Sequence, residues 1–288
     1  MVTTQGRIVK GVGGSYEVAA DGAVYTCAAK GIFRLRGITP LIGDRVEFEI
    51  THEADQEGNV TNILERTNEL KRPRVANIDQ ALIVFSVTRP AINIDLLDRF
   101  LILAESEGVE AVLVLNKCDL PKGDEAGELR CTYEAIGYKV VKMSAFTRDG
   151  LNELRGLIGG KVSVLAGPSG VGKSSIVNCI SKRLMETGEL SRKIDRGKHT
   201  TRHAELIPID DDTVIVDSPG FTALTTDGLE PGRIAGCFRE FRPYLAGCRF
   251  NDCKHLREPG CAIKAQVGDD ISAERYERYK GMMGNRYS

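Results

Sequence analysis

The octet Gly167-Pro168-Ser169-Gly170-Val171-Gly172-Lys173-Ser174 fits the pattern G-x-x-x-x-G-K-[ST] and lies between an apolar run, Lys161 to Ala166, and a helical stretch that opens at Lys173. Glycines at these spacings let the backbone wrap a phosphate, with N–H groups and the helix N-terminus turned to the negative charge. Lys173 would bridge the β- and γ-phosphates, and the hydroxyl of Ser174, with Ser175 beside it, would face magnesium. Strand, loop and helix in that order form the kernel of an α/β domain.

The residues on both sides extend that domain. From about Val75 to Leu224, apolar runs of strand length alternate with helical segments, which predicts a parallel sheet covered on both faces. The strands are Gln80–Val87, Glu110–Leu115, Tyr138–Met143, Lys161–Ala166, Glu205–Ile209 and Thr213–Asp217. Leu96, Leu97, Phe100, Leu101 and Ala104 share one helical face, in a helix that ends at Gly108.

A phosphate loop leaves the base open, and Asn116-Lys117-Cys118-Asp119 addresses it. The Asp119 carboxylate can accept from both N1–H and the exocyclic amine of guanine, whereas adenine offers neither donor in that arrangement. Lys117 can lay its aliphatic stem over the base. The tetrapeptide directly follows an apolar strand, where ligand sites of open α/β sheets form. Ser144-Ala145, at the end of the next strand, matches a loop whose backbone N–H meets guanine O6. Asp217-Ser218-Pro219-Gly220 reads as D-x-x-G, with Asp217 holding magnesium through water and the Gly220 N–H sensing the γ-phosphate. Between the loop helix and that strand, the polar stretch Gly197-Lys198-His199-Thr200-Thr201-Arg202 fits a switch segment whose threonine, Thr201 in preference to Thr200, closes on magnesium. Catalytic roles would then fall to Lys173, Thr201 and His199, the histidine positioning water or else standing as a solvated loop residue.

Ahead of this domain, residues 1–70 carry five short β-rich runs separated by Gly-bearing turns, which suits a small barrel of the OB or SH3-like kind or a simple open sheet. Their net charge of −3 excludes a broad basic surface. Residues 231–288 are the most basic part, at +4. Within them Cys248, Cys253, His255 and Cys261 give C-x4-C-x-H-x5-C. Three thiolates and an imidazole fit a closed tetrahedral zinc site of structural type, the alternative being coincidental buried cysteines. Cys27, Cys118, Cys131, Cys179 and Cys237 read as packing residues.

The whole chain, 288 residues with a formal net charge of −1, suits a multidomain protein and points neither towards nor away from an anionic partner. Its apolar runs are far shorter than the roughly 20 residues that cross a bilayer, and the first twenty residues lack the apolar core of a secretion signal. A cytoplasmic protein with reduced thiols and no membrane contact is expected.

In Ras-like GTPases the phosphate loop precedes the N-K-x-D and Ser-Ala motifs; here it follows them. This permuted order, together with Gly197-Lys198-His199-Thr200-Thr201, Asp217-Ser218-Pro219-Gly220-Phe221 and the Cys-Arg-Phe-x-x-Cys-x-His-x-x-Glu-Pro-Gly-Cys string from Cys248, resembles the ribosome small-subunit-dependent GTPase A family over nearly the whole chain. The resemblance implies an OB-fold domain (1–70), a circularly permuted GTPase domain (71–229) and a mainly helical zinc-binding domain (230–288). It also implies GTP and GDP with Mg2+, one structural Zn2+, and late maturation of the small (30S) ribosomal subunit through its 16S rRNA. The protein is expected to be a monomer. Phe221 stands where Ras-like chains place the water-orienting glutamine, so slow hydrolysis without a partner is expected. Gly170 stands where potassium-activated relatives carry asparagine, so no potassium requirement is expected. Arg192, Lys193, Arg196, Lys198 and Arg202 could pair with RNA phosphates, the alternative being a solvated basic loop. A second cation-and-aromatic mixture lies at Arg275, Tyr276, Arg278, Tyr279 and Lys280. Tyr276, Tyr279 and Met283 also share a helical face that suits core packing.

Overall fold

The computed structural model describes residues 3–29, 31, 33, 37–71, 74–121, 125–186, 205–210, 212–217 and 229–284. Strands β1 (Thr3–Val12), β2 (Ser15–Ala20), β3 (Ala23–Ala29), β4 (Arg45–His52) and β5 (Glu57–Ile63) close into a barrel of order β1-β2-β3-β5-β4. A register shift between Ile8 and Lys10 bends β1 so that it pairs with both β2 and β4. Alternate residues point inward, and Ile8, Val18, Cys27, Val46, Phe48 and Val60 fill the interior. This closure selects the barrel over the open sheet. A hairpin that the sequence pattern did not reveal, β6 (Glu69–Lys71) with β7 (Arg74–Ala76), leads out of it.

The central sheet has the order β10-β9-β8-β11-β13-β12, from β8 (Gln80–Ser86), β9 (Glu110–Asn116), β10 (Lys139–Lys142), β11 (Val162–Ala166), β12 (Glu205–Pro208) and β13 (Val214–Asp217). Every residue of β8 and β11 is buried, as a strand covered on both faces requires. Five strands run parallel, but β12 pairs antiparallel with β13. The expectation of an all-parallel sheet is therefore corrected at one edge. Four helices flank the strands: α1 (Ile94–Ser106), α2 (Glu125–Ala135), α3 (Leu151–Ile158) and α4 (Lys173–Glu186).

Helix α1 starts where the Asn93 side chain accepts from the Leu96 N–H at 3.0 Å. It buries two stripes. Leu97, Phe100, Leu101 and Ala104 pack on the sheet, as their spacing predicts. The second stripe, Asp98, Ile102 and Glu105 at intervals of four and three, faces the C-terminal helices α5 (Pro231–Cys237), a 3-10 helix (Arg239–Gly247), α6 (Ala262–Ala265) and α7 (Ala273–Gly284). Asp98 is fully buried, bonded to Arg275 and Arg278 of α7 and to the Tyr133 hydroxyl at 2.7 Å. Glu240 takes the other side of the Arg275 guanidinium. Two carboxylates and two guanidinium groups balance in charge, which is what makes their burial tolerable. Further along α1, Glu105 accepts from Arg239 at 2.6 Å and from Arg242 at 2.5 Å.

Arg275 is 1% exposed. It and Arg278 are therefore structural cations rather than an RNA-facing surface, while Tyr276, Tyr279 and Met283 are core residues as their spacing indicated. Cys131 is exposed on α2 and is not the packing residue expected.

Asp98→Ala should destabilise the fold by about 3–5 kcal/mol, because Arg275 would stay buried with half its counter-charge gone. Chemical denaturation of the variant beside Lys280→Ala, a substitution at a half-buried cation of α7, measures this.

Candidate functional site

The loops after β8, β9, β10, β11 and β13 all leave the carboxyl edge of the sheet, and four of the five carry motif residues. Gly167 directly follows β11 with φ +133°, and a Cβ there would lie 2.1 Å from the Val84 carbonyl oxygen. Only glycine fits so close to β8. Lys173, the first residue of α4, points its Nζ back across the loop to the carbonyls of Gly167 (2.6 Å) and Pro168 (2.8 Å), with Ser169 and Gly170 at the turn. Val171 is buried beneath the loop, whereas Ser174 and Ser175 are exposed in the first turn of α4.

Asn116, the last residue of β9, is 1% exposed and joins three motifs. Its Nδ2 donates to the Val171 carbonyl at 2.8 Å, and its Oδ1 accepts from the Ala145 N–H at 3.1 Å. A Cβ on Gly172, whose φ is +99°, would sit 2.3 Å from Asn116 Nδ2. The second glycine of the phosphate loop is thus what leaves room for the asparagine of the base motif. Lys117, in the left-handed region at φ +64°, stretches its stem across the site. Its Nζ donates to the Gly170 carbonyl at 2.7 Å and to the Arg89 carbonyl in the loop after β8. The Asp119 carboxylate is exposed next to it, open to a ligand with two donors.

Ser144 is buried, and its Oγ accepts from the N–H groups of Phe146 (3.1 Å) and Thr147 (3.0 Å). The N–H of Ala145, expected to meet a base oxygen, is directed at Asn116. Recognition of O6 would share this donor between two acceptors, a geometry common for backbone N–H groups. Asp217 ends β13, beside β11, so its backbone lies on the same edge of the sheet. The Asp217 side chain, Gly220, Phe221, His199, Thr201 and the basic residues Arg192 to Arg202 lie outside the described residues.

The second constellation lies in the loop between the 3-10 helix and α6. The ligand atoms of Cys248, Cys253, His255 and Cys261 all lie within 4.8 Å of one another. His255 Nδ1 is 3.5 Å from Cys248 Sγ and 3.4 Å from Cys261 Sγ, and the two sulfurs are 3.9 Å apart. Tetrahedral zinc with bonds of about 2.3 Å to sulfur and 2.0 Å to nitrogen has edges of roughly 3.8 Å and 3.5 Å, so the donor set fits that ion. Burial lowers the His255 pKa and pushes the Cys253 thiol up to about 12. A neutral imidazole is already the ligand form, and a divalent cation would be what favours the thiolates. Two tyrosines of α7 hold the ligand loop: Tyr276 donates to the His255 carbonyl at 2.7 Å and Tyr279 to the Lys254 carbonyl at 2.6 Å. Glu258 was not singled out in the sequence, yet it accepts from the N–H groups of Lys254, Leu256 and Arg257 at 3.1, 2.9 and 3.0 Å. Partial burial pushes its carboxyl up, but these N–H groups outweigh that and hold it at about 2. The Glu-Pro-Gly within the cysteine string was the only signal for it.

A family model described as the RsgA GTPase matches residues 63–227, and one for the RsgA N-terminal domain matches residues 5–60. The chain belongs to the RsgA GTPase family. It is a P-loop GTP hydrolase that takes a guanine nucleotide. A relative from Alkaliphilus metalliredigens, named small ribosomal subunit biogenesis GTPase RsgA, is 44% identical over 98% of this chain and 97% of its own. One of the same name from Geobacillus thermodenitrificans is 45% identical over 96% and 94%. Among solved structures, YjeQ from Thermotoga maritima matches with a TM-score of 0.84 and 34% identity, over 100% of this chain and 99% of that one. YloQ, described as a circularly permuted GTPase, matches at 0.82 and 35%, over 99% and 95%. Membership accounts for the motif order, which in this family is a property of the fold. Among the described residues no helix is long and apolar enough to cross a membrane.

Asn116→Ala would leave the Val171 carbonyl and the Ala145 N–H without a partner at about 1–3 kcal/mol each. Calorimetric titration with GDP should show a loss of at least tenfold in affinity. Glu258→Ala should cost about 1.5–3 kcal/mol of stability by releasing N–H groups from a charged acceptor, read as a lower melting temperature.

Proposed function

We propose that this protein hydrolyses GTP to GDP and phosphate during late maturation of the small (30S) ribosomal subunit, with the subunit stimulating turnover and the nucleotide state controlling binding and release. The observation that carries this is the Asn116 amide, bonded to both the phosphate loop and the Ala145 loop, because it ties a base-reading motif directly to a phosphate-binding motif. The relatives' shared name supports the subunit as the partner.

In this reading Asp119 selects guanine, Lys117 covers the base, and Ser144 and Ala145 shape the rim around O6. Gly167 to Ser175 hold the phosphates, with Lys173 moving from its carbonyl contacts to the β- and γ-oxygens. Magnesium, when bound, neutralises the phosphate charge; Ser174, Thr201 and Asp217, the last through water, would hold it. Water attacks the γ-phosphorus as its bond to the bridging oxygen breaks, and the water proton ends on phosphate. His199 positions that water, with Thr201 closing the switch. Phe221 in the glutamine position makes the subunit's help necessary. Cys248, Cys253, His255 and Cys261 hold one structural zinc ion. The three units are 1–70, 71–229 and 230–288; the protein acts as a cytoplasmic monomer and contacts 16S rRNA.

Turnover with and without purified small subunits tests the central claim. We expect stimulation of at least tenfold, and equal rates would overturn partner activation. Asp119→Asn should shift preference from guanine to xanthine nucleotides; a chain that uses ATP instead would leave the preference untouched. Native mass spectrometry should find one zinc per chain, lost in Cys253→Ser together with much of the stability.

A further inference from the structure

Phe146 is 88% exposed, twice or more the exposure of every other large apolar side chain picked out on the surface except Val12 and Val24. Phe146 belongs to none of the four hydrophobic clusters, and among the described residues its ring pairs with no other aromatic ring. The backbone beneath it is firmly held. Phe146 and Thr147 both donate to Ser144 Oγ, Arg148 N–H donates to the Ser144 carbonyl at 2.8 Å, and the Thr147 hydroxyl bonds Asp149 at 2.7 Å. A tight turn therefore presents a phenyl group to solvent at a fixed place.

That place is the purine end of the nucleotide site. Phe146 follows Ala145, whose N–H is bonded to Asn116, and the turn is joined to the base motif by the Cys118 N–H to Met143 carbonyl bond at 3.1 Å. The groups around it suit a flat heterocycle: Asp119 offers acceptors for its edge and Lys117 an aliphatic stem for its face. What they lack is an aromatic surface.

We propose that Phe146 is the aromatic wall of the guanine site and covers the base when nucleotide binds. The inference rests on the guanine-site reading above and names a further residue of it. Base–aromatic stacking contributes about 1–3 kcal/mol and is indifferent to the base, because every base has a π-face. Phe146 therefore supplies affinity, and discrimination stays with Asp119.

The chain contains no tryptophan, so Phe146→Trp introduces a single indole reporter. GDP and GTP should quench its fluorescence saturably, and ATP should not. Phe146→Ala should weaken GDP and GTP alike by about 5- to 150-fold, the equivalent of the stacking energy. Phe146→Leu, which keeps apolar bulk without the ring, should fall between them. In the Asp119→Asn background, Phe146→Ala should weaken xanthosine diphosphate by the same factor. Unchanged melting temperature would show that the exposed side chain has no part in folding. Wild-type GDP affinity in Phe146→Ala, with the loss confined to stimulation by small subunits, would overturn the proposal and make Phe146 a partner contact. Failure of the unsubstituted protein to bind GDP would instead refute the guanine site itself.

Discussion

One carboxamide holds the nucleotide site together. The side chain of Asn116 donates to the phosphate loop and accepts from the loop after β10, so three segments separated in the chain by 29 and 55 residues meet at a single buried group. Its two functions are complementary in a way only an amide provides, a donor on one atom and an acceptor on the other. Gly172 exists in this arrangement as the space the amide occupies. The permuted chain loses nothing by this, since the bonds depend on where the strands end in the sheet and not on the order in which they were threaded. Permutation moves termini, which lie at the surface, and leaves the carboxyl edge intact.

The C-terminal helices are attached on a different principle. Their joint with the sheet domain is the second stripe of α1, where Asp98 and Glu105 meet Arg275, Arg278, Arg239 and Arg242 around Ile102. Helix α1 begins directly after the loop whose Arg89 carbonyl receives Lys117. The metal-ligand loop is in turn held by tyrosines of α7, the helix that carries Arg275. A contiguous set of packed elements thus runs from the base motif to the cysteine cluster.

Much of this was legible beforehand, because the phosphate loop, the base motif and the cysteine cluster are local strings whose chemistry does not depend on remote neighbours. Periodicity likewise placed the barrel strands and the sheet-facing stripe of α1. What escaped were pairings made at a distance. The antiparallel β12 has no pattern of its own that distinguishes it from a parallel edge strand. Asp98 reads as the polar face of an amphipathic helix, and Arg275 beside two tyrosines reads as a surface patch, until each is seen to be the other's counter-ion. Cys131 was expected to pack and is exposed, and Phe146 was not singled out although it is exposed too, because hydrophobicity alone suggests burial for both. The expectations for His199, Thr201 and Gly220 fall outside the described residues.

Asp98 and Arg275 are 177 residues apart, and that interval has a meaning in time. At synthesis rates of about 5–20 residues per second, the aspartate is made roughly 10–35 s before its partner. Every strand of the sheet after β8, and the phosphate loop, is made within that interval. Until the C-terminal helices are made, helix α1 carries a carboxylate stripe and Ile102 that they do not yet cover. Helix α7, the last described helix, is therefore the one that neutralises Asp98 of α1, and this part of the seam stays open until α7 has been made.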